Sequence, residues 1–365
     1  MTKKPVKSAV QVEGKRGAPT MSDVARLAGV SPMTVSRVMN GEAAVSHATR
    51  NKVEAAVAAL NYVPNQAARG LAGAQLSRVG VLYNNPSAGY LSEFLVGLLN
   101  EASRNNVQLV VEKCDPAGDM LEQARRMLDN GIDAMILPPP LGDNKALIDV
   151  IATTGKPVAT VACGQFDQRV NAIRVDDYGA AHSMTSHLIT LGHERIGFVI
   201  GHPNQFASGH RLAGFKAALT EKGLSADPDL IAQGMFTYRS GLDAAELLLA
   251  HAQRPTAIFA SNDDMAAAVV ATAHRLGLDV PGDLTVAGFD DTPLASTIWP
   301  QLTTVRQPIA EMAEEAIKGV VRQIRAQRNF SAEAPQHVEM AFELVRRQSD
   351  AAPRVRPLTL VPRGP

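Results

Sequence analysis

The sequence predicts an N-terminal all-α helix-turn-helix head followed by an α/β body of two lobes that close on each other like a clamshell. Three observations predict it. Residues 20–41, TMSDVARLAGVSPMTVSRVMNG, place apolar side chains at helical spacing on both sides of a Gly-Val-Ser break. From Val79 onward, short apolar runs alternate with helical stretches, as in βαβ units. That alternation comes as two successive series, each long enough for its own parallel sheet.

The chain has 365 residues, room for two or three domains. Residues 1–19 carry Lys, Gly and Pro without periodicity and read as a disordered basic tail. Residues 20–62 read as three helices. Thr20 is a good N-cap, and Asp23 completes a capping-box-like pair. Val24, Leu27 and Ala28 fall on one face of the first helix. Gly29 lets the chain turn without a Cβ penalty. Ser31 caps the second helix, and Pro32 takes its first position, where a missing N–H costs nothing. Val35 and Val38 turn inward, while Met33, Thr34, Ser36 and Arg37 face away. Ser46 caps a third helix with Val53, Val57 and Leu60 as its stripe. The pattern fits a plain helical hairpin, and it also fits a helix-turn-helix whose polar, cationic outer face suits a major groove. Residues 63–76 read as a hinge. Pro64 stops the preceding helix, and Asn65 can cap a short one over QAARGLA, marginal on its own with Gly70 inside.

The body, 77–348, follows. VGVLY (79–83), VQLVVEK, AMILP and PVATVAC read as strands, separated by helices near 91–104, 119–130 and 143–154. A second series opens on AIRVDD and continues through RIGFVIG, TAIFAS and LTVAGFD, with helices over 178–191, 209–222, 239–251 and 264–275. LTTVRQP (302–308) reads as the crossover back to the first lobe, the helix 309–326 as packing there, and VEMAFELVRR as the return to the second. Lobe 1 is thus about 77–174 and 305–335, lobe 2 about 175–304 and 336–348. Residues 349–365, rich in Pro and Arg, read as a disordered tail.

Formal net charge is zero, yet residues 1–75 hold ten Lys/Arg against four Asp/Glu, a surplus of six that the rest of the chain offsets. A basic module on an acidic body suits phosphate binding while the body stays soluble. No apolar run reaches the roughly 18 residues of a membrane helix, and the basic N-terminus lacks the apolar core of a secretory signal. Cys114 and Cys163 lie far apart without metal spacing and read as buried thiols, as in a reducing cytoplasm.

Ligands of open α/β sheets sit outside the carboxyl ends of the strands. Asp176 and Asp177 follow AIRV, Asn262 and Asp263 follow TAIFAS, Asp290 and Asp291 follow LTVAGF, and Arg211 opens the helix after RIGFVIG. Carboxylates and a forked guanidinium make paired, directed hydrogen bonds to hydroxyls. Tyr90, after the first strand, offers an apolar platform. Helix capping is an equally good role for Asp177 and Asp263. No phosphate-binding G-x-x-x-x-G-K-[ST] loop, G-x-S-x-G elbow or HExxH occurs, and His182 and His187 are five apart. No catalytic constellation or cofactor is expected.

AxLAGVSxxTVSRVxN followed by TRxKVxxAxxxLNYxPNxxARxL resembles the DNA-binding region of the lactose-repressor (LacI/GalR) family of bacterial transcription regulators. The resemblance extends to residue 348 through VDDYGAA, LGHERIGFVIG, GHRLAGF, AIFASNDDMA, VAGFDD and LTTVRQP. It implies a periplasmic-binding-protein-like effector body and a regulator, most simply a repressor of carbohydrate-utilisation genes, rather than an enzyme. It implies a homodimer on a double-stranded palindromic operator, a small-molecule effector, most simply a sugar, and a cytoplasmic location, on the nucleoid when DNA-bound. Positions matching Arg211, Asn262 and Asp290 contact the effector in the family; Tyr90, Asp176 and Asp263 complete that candidate set. Arg37 would read a base, with Pro32 and Met33 beside it. Those two are apolar where family members carry polar side chains. Thr34, Ser36, Asn40 and Thr49 suit phosphates, and Thr20 and Asn65 complete the DNA candidates. Leu71 matches the leucine that paired hinge helices push into the minor groove. The rival reading is a periplasmic-type sugar-binding protein or sugar-acting enzyme without a DNA-binding role. It predicts a secretion signal or a catalytic constellation, and neither occurs.

Overall fold

The structure is a computed structural model that describes residues 19–39, 45–60, 62, 76–114, 118–164 and 167–354. Residues 1–18, 63–75 and 355–365 lie outside the described residues, and with them Asn65 and Leu71; Asn40 does too. The chain forms two compact units, Met1–Leu76 and Ser77–Pro365.

In the first unit, α1 spans Met21–Ala28, α2 Pro32–Met39 and α3 His47–Ala59. The Thr20 N–H donates to Asp23 Oδ2 at 3.0 Å, and the Asp23 N–H donates to Thr20 Oγ1 at 3.3 Å, closing a capping box. Gly29 ends α1 at φ 67, the left-handed conformation glycine adopts without strain. Ser31 Oγ accepts from the Thr34 N–H at 3.1 Å, and Ser46 Oγ from the Thr49 N–H at 3.3 Å. Val24, Ala25, Val35, Val38, Val53, Ala56 and Tyr62 make the core. Leu27 corrects the expected stripe, because it is 55% exposed. The inward face of α1 runs through positions 21, 24, 25 and 28, the spacing of one helix stripe, so Ala25 takes the place assigned to Leu27. On α3, Val57 and Leu60 are only partly buried against the Val53–Ala56 centre.

The second unit holds two six-stranded sheets. Lobe 1 carries β1 (Ser77–Tyr83), α4 (Ala88–Asn105), β2 (Val107–Lys113), α5 (Met120–Asp129), β3 (Ala134–Leu137), α6 (Lys145–Ala152), β4 (Val158–Val161) and β5 (Asn171–Val175). Lobe 2 carries α7 (Asp177–Thr190), β6 (Ile196–Ile200), α8 (Phe206–Glu221), β7 (Ile231–Gln233), α9 (Tyr238–Ala250), β8 (Ala257–Ala260), α10 (Asp263–Arg275), β9 (Thr285–Asp290), α11 (Pro293–Thr297) and β10 (Thr303–Arg306). α12 (Ile309–Arg328) returns to lobe 1, followed by β11 (His337–Met340), and β12 (Glu343–Val345) returns to lobe 2. The strand orders are β11-β5-β4-β3-β1-β2 and β12-β10-β9-β8-β6-β7. Every pairing is parallel except β12 with β10. Buried on both faces, inner strands such as β3 and β8 are continuous apolar runs.

The lobes are joined three times, and each join differs from its expected place. AIRV pairs with β4, so it closes the lobe 1 sheet rather than opening lobe 2. LTTVR is a strand of lobe 2 beside β9, and the crossover follows at Gln307 and Pro308. VEM pairs with β5 in lobe 1, and only ELV belongs to lobe 2. An apolar run specifies a strand but not which sheet edge it joins; the hydrogen-bond ladder decides that. α12 packs in lobe 1 as expected, with Met312, Ala316 and Val320 against Val79, Ile136 and Ile173.

Residues 349–354 also correct the expected tail, for they lie against lobe 2. The Val286 N–H donates to the Ser349 carbonyl at 2.9 Å, and the Thr303 N–H to Ser349 Oγ at 2.8 Å. The buried Asp350 carboxylate meets His187 Nε2 at 2.6 Å, Thr303 Oγ1 at 2.9 Å and Arg346 Nε at 2.8 Å. His193 is a structural residue that ties this strap down: its ring nitrogens lie 2.8 Å from Thr256 Oγ1 and 2.8 Å from the Ala351 carbonyl. Cys114 and Cys163 are buried thiols that form no disulfide.

Candidate functional site

The head presents the outer face of α2. Pro32, Met33 and Arg37 are exposed, and Thr34 and Ser36 are half-buried. Val35 and Val38, at spacing three, fix that orientation by anchoring the opposite face in the core. The hydroxyls of Thr20, Thr34 and Thr49 all sit in helix caps. Thr20 Oγ1 donates to Asp23 Oδ2 at 2.6 Å, while Thr34 and Thr49 pair with Ser31 and Ser46 at 2.9 Å. They therefore lie at positive helix poles, where phosphates bind.

In the body, a cavity opens between the lobes. Its walls are segments that follow strands. Asn85, Ser87 and Tyr90 come after β1, Pro139 after β3 and Ala162 after β4. Gln205 follows β6, Phe236 β7, Asn262 β8 and Gln307 β10, and Asp290 ends β9. This is the crevice that parallel topology builds.

Of the six expected effector residues, Tyr90, Arg211, Asn262 and Asp290 line the cavity. Arg211 is only 4% exposed. Its Nε donates to Asp177 Oδ1 at 2.8 Å and an NH1 hydrogen goes to the Ser261 carbonyl. NH1 also stands 3.8 Å from Asp290 Oδ1, and the guanidinium lies 3.5 Å over the Phe289 ring. Asn262 caps α10 through the Met265 N–H at 3.0 Å and donates to the Phe236 carbonyl at 3.1 Å. Asp176 does not reach the cavity. It is exposed and caps α7 through the Gly179 N–H at 2.9 Å. Asp263 is absent from the wall as well. It is fully buried, accepting from the Thr292 N–H at 2.7 Å and from Thr304 Oγ1 at 2.7 Å, which locks α10 to β10. Asp177 is neither a cap nor a wall residue but the partner of Arg211.

Burial pushes the Asp290 carboxyl up to about 7, against the pull of Arg211 and the bond from Gln307 Nε2 at 2.7 Å. The ion pair alone would lower it; desolvation is the larger effect, with Asp264 and Asp177 adding to it. Burial likewise raises Tyr90, with the Asp290 charge reinforcing it. Asp290 thus holds a proton more tightly folded than unfolded. Its contribution to stability is complete below about pH 4 and is lost as pH rises toward 7. Asp290→Asn should flatten the fall in melting temperature between those limits; an unchanged slope would assign it to another group.

The lobes touch at both rims. Ser87 Oγ of lobe 1 donates to Asp264 of lobe 2. At the other rim the Phe206 N–H donates to Asp143 Oδ2 at 3.2 Å, and a Cβ on Gly164 would fall 2.2 Å from Phe206 Cβ. Burial raises the Asp143 carboxyl.

Residues 20–65 match the family of bacterial regulatory proteins called lacI, and residues 185–349 match a periplasmic binding protein-like domain. Catabolite control protein A of Priestia megaterium is 35% identical over 305 residues, covering 82% of this chain and 90% of that protein. The chain belongs to the LacI family. The ribose operon repressor of Escherichia coli (strain K12) is 34% identical over 310 residues, covering 84% of this chain and 93% of that protein. A lac repressor dimer bound to operator and the anti-inducer ONPF has a similar structure, with TM-score 0.75 and 30% identity over 92% of this chain and 100% of that one. This LacI-family protein is therefore a DNA-binding transcription regulator with a periplasmic-binding-like body, and not an enzyme. The rival reading without a DNA-binding role is set aside. Among the described residues, no helix is long and apolar enough to cross a membrane.

Sequence reasoning missed Asn85, Ser87, Gln205, Phe236 and Gln307. The strand-end rule points to Gln307 once LTTVR is taken as a strand. Phe236 follows β7, three residues too short to leave an apolar signal.

Proposed function

We propose that this regulator represses carbohydrate-utilisation genes, binding a palindromic operator as a homodimer in the cytoplasm under the control of a sugar-like effector held between the lobes. The observation that supports it most is the Arg211–Asp290 pair on the wall of an interlobe cavity in a chain that also carries a helix-turn-helix head. The regulatory relatives, two of them named for catabolite control and a ribose operon, point the same way. Gel shifts with genomic fragments, with and without candidate sugars, test it; a protein that retards no fragment selectively contradicts it.

In this reading Arg37 pairs bidentately with a guanine, a contact worth about 1–3 kcal/mol, and Pro32 and Met33 add apolar contacts such as to a thymine methyl. Thr20, Thr34, Ser36, Asn40, Thr49 and Asn65 hold the backbone. Arg37→Ala should lose discrimination as well as affinity; equal weakening on operator and random DNA would remove the base-reading role. Leu71 wedges into the minor groove at the operator centre. Leu71→Ala should leave the head folded but remove the bend, read by the mobility of permuted fragments. Unchanged bending would exclude the wedge.

A further inference from the structure

We infer that the cavity takes an uncharged polyol and turns away the phosphate esters of such polyols. The inference rests on reading the cavity as the effector site, and names the chemistry of what enters it.

Charge is the first ground. Arg211 is the one cation among the described lining residues. Its charge is already answered by Asp177 at 2.8 Å and Asp290 at 3.8 Å, both on the same side of the cleft. Asp264, bonded to Ser87 at the rim, adds another acidic group. An incoming phosphate would meet the Asp290 carboxyl on the wall, repelling its ionised form, with Asp177 and Asp264 behind the lining and no unspent cation to offset them, in surroundings where like charges repel more strongly than in water.

Three helices begin beside the cavity, and at each of them one end N–H is already taken by a group of the protein, which leaves less for an anion. Ser87 Oγ accepts from the Tyr90 N–H at 3.3 Å, Asn262 Oδ1 accepts from the Met265 N–H, and the Asp143 carboxylate takes the Phe206 N–H that starts α8.

Unfilled hydrogen-bonding capacity is the second ground. Two polar atoms lining the cavity are buried without a partner: the Tyr90 hydroxyl and Gln307 Oε1. Their residues are 4% and 3% exposed. Gln307 Nε2 is held by Asp290, so the other end of the amide presents an acceptor. A buried acceptor with no donor is costly, and a ligand hydroxyl supplies the donor. Tyr90 can give or take a bond. Together with Asp290 these groups call for several hydroxyls at once.

The test uses the full-length protein, by titration calorimetry and thermal shift. The probes are D-ribose, D-glucose and myo-inositol, ribose 5-phosphate and glucose 6-phosphate, and inorganic phosphate. A neutral member is expected to bind, its ester at least tenfold more weakly, and inorganic phosphate not at all. Tyr90→Phe, which removes only the hydroxyl, should weaken the neutral ligand about tenfold without lowering the melting temperature. Asp290→Asn should narrow the gap between the neutral ligand and its ester. An ester that binds as tightly as its parent overturns the charge argument and leaves the effector reading standing. Binding untouched in both Tyr90→Phe and Gln307→Leu overturns the hydrogen-bond argument. If no probe binds, the effector reading fails and the inference with it.

Discussion

Arg211→Ala is expected to abolish the effector response and to lower the melting temperature together. The guanidinium is buried between two carboxylates, one bonded at 2.8 Å and the other 3.8 Å away. Removing it leaves Asp177 and Asp290 uncompensated, and breaking a buried pair in this way costs roughly 3–5 kcal/mol. Residue order alone presents Arg211 only as a ligand group. The pairing with Asp177 changes that, because the same side chain holds α8 to α7. Calorimetric melting, paired with operator binding in the presence and absence of ligand, measures both effects. A variant that melts like the parent would refute the structural half, and one that still responds fully would take Arg211 out of the site.

Ending the chain after Gln348 should unfold lobe 2 or bring it near unfolding. Ser349, Asp350 and Ala351 make at least six hydrogen bonds to β9, β10 and the α7–β6 region. At about 1 kcal/mol each, their loss is comparable with a domain's whole stability. It also strands the buried Val286 and Thr303 N–H groups. The His187, Thr303 and Arg346 bonds outweigh burial and hold the Asp350 carboxyl below its usual range. Its stabilisation is therefore present above about pH 4 and lost as pH falls through the folded value. Far-ultraviolet dichroism of the truncated protein against the full chain reads the outcome; a truncated protein with unchanged melting would mean the strap carries no load.

Much of this was legible in the sequence. Capping residues and the glycine turn are local signals, so Thr20, Gly29, Ser31 and Ser46 fall where their chemistry requires. Strand–helix alternation gives two parallel sheets for the same reason. Lobe membership at the crossovers was not legible, because β5, β10 and β11 are specified by pairing with strands far away in sequence. At the site, the strand-end rule found Arg211, Asn262 and Asp290. It could not separate Asp290, on the wall, from Asp263, buried behind it, or from Asp176, which faces solvent at a helix cap. That distinction lies in which way a side chain turns at a strand end, set by tertiary contacts such as Thr292 and Thr304 on Asp263. Ser349 and Asp350 read as tail because two polar residues leave no periodic trace, although their bonds are among the most buried in lobe 2.

In the proposed function, occupancy of the interlobe cavity changes DNA binding. A ligand shifts that equilibrium only by the difference in its affinity for the two states, and such coupling is typically about 1–3 kcal/mol, or 5- to 150-fold. The most direct measurement is the dissociation constant of the full-length protein for an operator selected from genomic fragments. It should be taken at one fixed salt concentration, with and without a saturating polyol that thermal shift shows to bind. A change of at least fivefold is expected on the operator, with little change on random DNA. An operator affinity unmoved by a ligand that demonstrably fills the cavity would contradict it.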